Sequence, residues 1–550
     1  MRLSSSHNIY STVASITGLG RTVLQSIVTH YGAQPFTDEK LLRDMGPGYS
    51  GAEYRIGLYE LIGQELVRSV RKGWGEKVYF IPAGHYFHIH AALFDLQRPE
   101  PVSIGQLIFK DDQEQPLPYG LRIIYGLAEL LHNGLKLTSK GVFPKRTIER
   151  CMLQVDVPGE LVDCLKLSSF SGTGTLSFDL MLDYLVRTGV IERSGQTYAI
   201  MPDRLNNFLA RIEDIREAWL IRFWMEHYAL RYPQLSHAAA LTSYWKTQEW
   251  YKMPSPTSES MEQWCALMAG LGWMEQRETD EGAAAYRWLF NPRPEPQGTL
   301  DLRSDEFASI HLSPDGEIFV PLDVPATIRL GLELIAKRLS SDVMTVYRLD
   351  KEYVLRAAKC GYTAGDITEF LEYASQDKMP ELLAIALEGW IQDIEIDSVP
   401  LYPLPTASNS KASHVHTNVL DQDITFERKF DSLFGEAVDT ESYTEIAAPQ
   451  EPHAIYQGLH EIPCVWRSDM RSYHHSTRRE LLERALSWRI PVKLKISDSI
   501  VPFIPERLEG DGAAWAVSGQ LRKAEAVEKV RLAPDMWDEM MLIIPLPAKV

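Results

Sequence analysis

Residues 310–390 read IHLSPDGEIFVPLDVPATIRLGLELIAKRLSSDVMTVYRLDKEYVLRAAKCGYTAGDITEFLEYASQDKMPELLAIALEGW, and the order of signals within them decides the fold of this part of the chain. Ile318-Phe319-Val320 is a short apolar run ended by Pro321 and Pro325, which cannot extend a ladder, so it reads as a strand. Ile328, Leu332, Ile335 and Leu339 then recur at the spacing of one helical face. Val343–Leu349 is rich in β-branched and aromatic side chains and predicts a second strand. Asp350 stands as the N-cap of a helix over Lys351–Lys359, and Gly361 closes it. Thr363 caps a further helix that carries Ile367, Phe370 and Leu371. Together these signals predict a small α/β module.

At 550 residues the chain is too long for one core and predicts several domains. Apolar residues make up 45% and aromatic residues 10%, enough to fill packed cores and to exclude a disordered protein. No apolar run of about 18 residues occurs, which argues against a membrane span. The first residues, MRLSSSHNIYSTVASITGLG, lack the sustained apolar stretch of a signal peptide. Cys151, Cys164, Cys265, Cys360 and Cys464 are scattered without a CxxC pair. They predict reduced core thiols in a cytoplasmic protein, with neither a disulfide framework nor a zinc site.

Residues 15–90 predict a winged helix. A helix over Val23–His30 is followed by one capped by Thr37 and one capped by Ser50 that runs toward Gln64. Two β-rich runs, 66–70 and 78–81, joined by Arg71-Lys72-Gly73-Trp74-Gly75, form the wing. The third helix is the one such a fold inserts into a major groove, with Tyr54 and Arg55 as outward contacts. The pattern returns over 91–205: Lys145 and Arg146 open a helix after a short strand Val142–Phe143, Ser177 caps another helix through Arg187, and a hairpin over 190–201 follows. A looser copy spans 206–300, with a helix over Ser258–Ala269 and strands over Trp273–Gln276 and Tyr286–Phe290. Residues 301–397 hold the α/β module, and 398–470, rich in Pro, Ser, Asn and acids, read as an acidic linker. Residues 471–550 begin with a helix over Arg479–Trp488 and continue as a β-rich C-terminal domain. The fold class is multidomain α+β: tandem winged-helix domains, a small α/β module and a β-rich end.

The phrases PLDVP (321–325), TVYRLDKEYVLRAAKCGYTAGDITEFLE (345–372) and MPELLAIALEGW (379–390), in this order, resemble the helicase-associated domain. That domain is similar to the N-terminal domain of the XPB family of DNA helicases and occurs in many bacteria without a motor. The resemblance implies docking on a helicase or nuclease and regulation of it, with the module's exposed strand edge and the surroundings of Tyr347 and Arg348 as the docking surface. The C-terminal segment resembles a WYL domain, with Trp515-Ala516-Val517 at the place of that family's Trp-Tyr-Leu-like strand and Ala516 in place of the central aromatic.

Other chemistry finds no support in the residues. A nucleic-acid motor needs a GxxxxGK[ST] loop to cradle phosphates, and these residues contain none, nor an acidic box to hold magnesium. Gly172 and Gly174 form a GxG that reads as a loop before a helix. Of His85, His88 and His90, imidazoles two apart on a strand would share a face, but no carboxylate or cysteine nearby completes a metal set, so they predict structural histidines. Gly48-Tyr49-Ser50-Gly51 lacks the spacing of a nucleophile elbow. No catalytic residue, metal ligand or cofactor is expected.

The formal net charge of −18 disfavours nucleic acid, but it is unevenly spread. Lys136, Lys140, Lys145, Arg146 and Arg150 face only Glu149 between 136 and 150, a local +4; residues 476–495 also carry +4, while 421–450 carry −6. The DNA-contact candidates are Tyr54 and Arg55 on the third helix, Lys72 and Trp74 at the wing tip, and Lys145 and Arg146, with Glu53, Glu60, Glu65 and Glu76 opposing the first four. Phe426, Phe430 and Phe434 recur every four residues among acids, and Phe430 and Phe434 are candidates to enter a partner groove. The expectation is a non-enzymatic, cytoplasmic, DNA-associated accessory whose partners are DNA and a helicase or nuclease subunit, with no membrane. The alternatives are a winged-helix/WYL transcriptional regulator and a protein scaffold that never touches DNA.

Overall fold

A computed structural model of the chain describes residues 6–44, 46, 48–71, 75–94, 101–109, 115–167, 175–253, 259–293, 308–341, 344–392, 394, 399–407, 444–446, 455–510, 515–523 and 526–546. The described residues form a mixed α/β protein with several sheets and two compact units: 1–97 with 226–241 and 437–550, and 98–225 with 242–436. The region expected as a third winged-helix copy is therefore divided. Leu230 and Ala240 join the core of the first unit with Leu24, Leu58 and Tyr86, a placement that no local pattern announces.

In the first unit, the helix Gly18–Tyr31 is capped by the Thr17 side chain, which accepts from the Gly20 amide. It packs on the helix Gly51–Gly63, where Ser50 and Glu53 form a reciprocal capping box. The strands Arg68–Arg71 and Lys77–Phe80 pair antiparallel, and Thr444–Glu445 pairs with the outer side of the first of them. Ala83–Leu93 is a helix, which corrects the strand expected at the three histidines. Pro82 sits at its N-cap, and Tyr86, Ile89, His90 and Leu93 enter the core at helical spacing.

The C-terminal part of this unit is a five-stranded antiparallel sheet in the order Val527–Leu532, Ala516–Arg522, Ser499–Glu509, Val492–Ile496, Glu539–Leu542. The helix His475–Trp488 lies against it. Tyr456, Leu459, Ile462 and Trp466 are buried in the same core, so the segment expected as linker up to 470 is structural from about 455 onward. They recur every three or four residues, but Pro463 interrupts the run and the segment folds mainly as turns, so no continuous helix marks them.

In the second unit, a five-stranded antiparallel sheet runs Pro101–Val102, Trp250–Lys252, Ala284–Trp288, Met274–Thr279, Leu107–Ile108. The helix Glu259–Gly270 packs on it. Glu217, on the helix Glu213–His227, is fully buried and accepts from the Gly120 amide at 2.9 Å and the Trp273 indole at 2.8 Å. Burial pushes its carboxyl upward, while Arg216 and these donors oppose the rise. The helices Tyr119–Asn133 and Lys145–Val155 pack on one another, and the helix Leu176–Arg187 leads into the hairpin Ile191–Ser194/Thr197–Ile200. Two local expectations change here. Val142–Phe143 is not a strand, and Ser177 is not a cap: its hydroxyl donates to the Val157 carbonyl at 3.2 Å from inside the first turn.

Candidate functional site

The module opens with His311–Leu312 paired to Glu317–Val320 across a turn that needs Gly316 at φ +85. The sheet order is His311–Leu312, Glu317–Val320, Thr345–Arg348, Lys337–Ser341, all antiparallel. The helix Ala326–Ile335 ends sooner than the apolar spacing predicts, and Leu339 lies in the edge strand at a register shift, 44% exposed. Asp350 caps Lys351–Lys359 by accepting from the Tyr353 amide, and Thr363 with Asp366 caps Ala364–Ser375. The helix Glu381–Ile391 completes the module.

Arg329 holds the first crossover in place. Its buried guanidinium donates to the carbonyls of Pro321 at 2.7 Å, Leu322 at 3.0 Å and Val324 at 3.3 Å, and to the Thr345 hydroxyl at 3.3 Å. Only a planar fork supplies that many donors from one side chain. The PLDVP phrase is thus the loop wrapped around this arginine.

A second polar group ties the module to the helices that precede it within the same unit. Glu333 accepts from Tyr347 Oη at 2.8 Å and from Arg338 Nε at 2.9 Å. The Arg338 guanidinium also bonds Gln154 and lies 3.7 Å from the Tyr125 ring centroid. Arg356 meets Glu129 at 2.6 Å, and the Cys360 thiol lies 3.7 Å from His132 Nδ1. Burial, then the Arg356 charge, lowers the His132 imidazole to about 4, so it is neutral in this polar network at ordinary pH. Burial, then Glu333, raises the Tyr347 phenol well above its usual range.

This geometry corrects the expected docking surface. Tyr347 is fully buried on an interior strand, with its hydroxyl committed to Glu333. Arg348 is exposed but paired with Glu317 at 2.5 Å. The edge strand Lys337–Ser341 is short, charged and bulged, features that discourage ladder addition. The module also exposes an apolar pair: Leu382 is 78% exposed and Ile385 59% exposed on Glu381–Ile391, beside an open depression lined by Ala364, Ile385, Glu388 and Gly389. Leu382, Ile385 and Gly389 share one helical face, a signal present in the sequence but indistinguishable there from a core stripe.

The groove-reading helices also differ from expectation. Tyr54 is buried, and its hydroxyl donates to the Gly46 carbonyl at 3.1 Å; Arg55 is half-buried. The start of Gly51–Gly63 faces the C-terminal sheet: the Ala52 amide donates to the Arg489 carbonyl at 2.9 Å, and Glu53 takes both Arg522 guanidinium nitrogens at 2.8 and 3.1 Å. The helix Leu176–Arg187 is buried from Ser177 to its end. Neither helix is free to enter a major groove. Lys145 and Arg146 are exposed at the start of their helix, with Lys145 3.6 Å from Glu149. Lys72, Trp74, Phe426, Phe430 and Phe434, with Gly172 and Gly174, lie outside the described residues.

Of the histidines, His90 Nε2 lies 2.8 Å from His237 Nδ1 inside the core, and no group of three or more metal-ligating side chains occurs among the described residues. Among them no helix is long and apolar enough to cross a membrane.

Residues 310–394 match the family model of a helicase conserved C-terminal domain. The match covers a minor part of the 550-residue chain and supports a helicase-associated protein. No curated protein matches the chain.

Proposed function

We propose that this chain is a DNA-associated helicase accessory that docks on a helicase or nuclease through residues 310–394 and performs no catalysis itself. The observation that carries this reading is the sheet of the matched module. It is antiparallel throughout, whereas the motor lobes of helicases bind nucleotide at the carboxyl ends of parallel strands. With no GxxxxGK[ST] loop in these residues, a helicase-related role falls to contact, not ATP turnover. The Leu382–Ile385 face is the docking surface in this reading, and the module resembles the XPB N-terminal domain in serving another protein's motor.

The experiment is ATP hydrolysis by the purified chain with and without duplex, forked or single-stranded DNA. The expected result is no hydrolysis above the blank. DNA-stimulated hydrolysis that follows the protein through purification overturns the reading. The operator-reading alternative loses its footing in the burial of Leu176–Arg187 and the engagement of Gly51–Gly63, since base readout needs an exposed helix.

A further inference from the structure

Three segments that are separate in the sequence bring four cations to one place in the second unit. The stretch Leu135–Leu137 pairs with the hairpin: Tyr198 N donates to Leu135 O and Leu137 N to Gln196 O, both at 2.9 Å, with Lys136 opposite Thr197. A tight turn follows, closed by Gly141 N to Thr138 O at 2.8 Å, and it carries Lys140. Arg193, on the hairpin strand Ile191–Ser194, reaches this turn: its Nη2 lies 3.1 Å from where a Cβ on Gly141 would stand. Pro144 then starts the helix that exposes Lys145 and Arg146 in its first turn.

Lys140, Lys145, Arg146 and Arg193 are all exposed. Lys140, Arg146 and Arg193 form no ion pair among the described residues, and Lys145 meets only Glu149, across a solvated turn. Glu192 and Lys136 lie outside the patch: Arg193 is registered with Tyr198, on the side that packs against Phe143, whereas Lys136 is registered with Thr197 and shares the other face with Glu192. Two cations in the first turn of a helix also oppose its dipole, and no acid there compensates them. Local stability therefore gives no reason for this placement, whereas an approaching anion gives one.

We infer that this patch, assembled by the 135–142 segment, the 191–200 hairpin and the start of the 145–155 helix, binds the phosphate backbone of duplex DNA without reading its sequence. The inference rests on the DNA-associated part of the function proposed above and makes it specific. The hairpin supplies Arg193, the turn supplies Lys140, and the helix start supplies Lys145 and Arg146. The helix Leu176–Arg187, which would read bases in an arrangement of this kind, is buried, so phosphate contacts alone remain. In a chain of net charge −18, such a patch also fixes the orientation of the approach, because acidic surface elsewhere repels the duplex.

The test is fluorescence anisotropy of labelled duplexes of unrelated sequence across a salt series, with wild type, the variant K140Q/K145Q/R146Q/R193Q, and the control K351Q/K378Q at exposed lysines elsewhere. Wild type is expected to bind the duplexes about equally, with log K falling linearly in log salt. The four-site variant is expected to lose about tenfold or more, with a slope shallower by about one unit per charge removed, and the control to match wild type. Because the substituted side chains are exposed, a matching circular dichroism melt separates loss of contact from loss of fold. No binding by wild type, an unchanged slope in the four-site variant, or a strong preference for one duplex sequence each overturns the inference. If the four-site variant loses DNA yet still captures a helicase or nuclease, the patch stands apart from the docking surface. If wild type binds no DNA but captures that partner, the patch fails and the docking reading survives.

Discussion

Glu53 and Arg522, 469 residues apart in the chain, form a two-point ion pair at 2.8 and 3.1 Å. The pair commits the start of the Gly51–Gly63 helix to the strand Ala516–Arg522 and withdraws it from any groove. Both side chains are largely buried, so each depends on the other for its desolvated charge.

Glu53→Ala and Arg522→Ala should each lower stability by about 1–3 kcal/mol, because each leaves a desolvated charge without its partner. The double variant should cost less than the sum of the two, since the surviving charge is gone as well. Urea unfolding followed by the fluorescence of the buried Trp515 and Trp537 measures both effects. Additive losses would show that the two residues act separately.

Arg329→Ala should destabilise the module by roughly 3 kcal/mol, because the buried acceptors of Pro321, Leu322 and Val324 lose their donor at once. Arg329→Lys should restore little, since a single ammonium cannot span the fork's positions. Thermal melts of the three proteins check the order.

Gly331 faces Phe370, and a Cβ there would lie 2.6 Å from Cζ of that ring. Gly331→Ala should therefore cost about 1–3 kcal/mol by overpacking. Adding Phe370→Leu should recover part of the loss, which a double-variant melt would reveal.

The His90–His237 contact makes the first unit acid-sensitive. Burial, then the neighbouring imidazole, lowers His90 from 6.5 to about 3, and burial lowers His237 as well. Between these limits the unfolded chain binds more protons than the folded one, so stability is fully present above about pH 6.5 and falls as pH drops toward 3. The slope reaches about 1.4 kcal/mol per pH unit for one such group. Urea midpoints at pH 5 and pH 7 should differ in wild type and differ less in His90→Gln.

Short-range features were legible because their causes are local. Asp350, Thr363 and Ser50 cap helices where the sequence says so, since a cap needs only the next three residues. Leu339 misled because a helical spacing continues past Ile335 with no breaker to stop it. The Ala83–Leu93 run misled because a short apolar stretch fits either period. Tyr54 and Tyr347 misled for another reason. An aromatic beside an arginine looks like a contact surface, but Tyr347 answers to Glu333 and Tyr54 lies beside a helix start held by Arg522. The cationic patch was half visible as a charge run. Arg193 joins it only through the 135–137 pairing, which no window of sequence contains.

Docking through the module's Leu382–Ile385 face is tested most directly by cross-linking and mass spectrometry of the full chain in its source cells, compared with Leu382→Asp/Ile385→Asp, because both side chains are exposed and their loss leaves the core intact. The expected result is a helicase or nuclease subunit cross-linked within residues 310–394 of wild type and reduced to background in the variant. The same cross-links in both proteins, or no helicase or nuclease subunit with wild type, would contradict it.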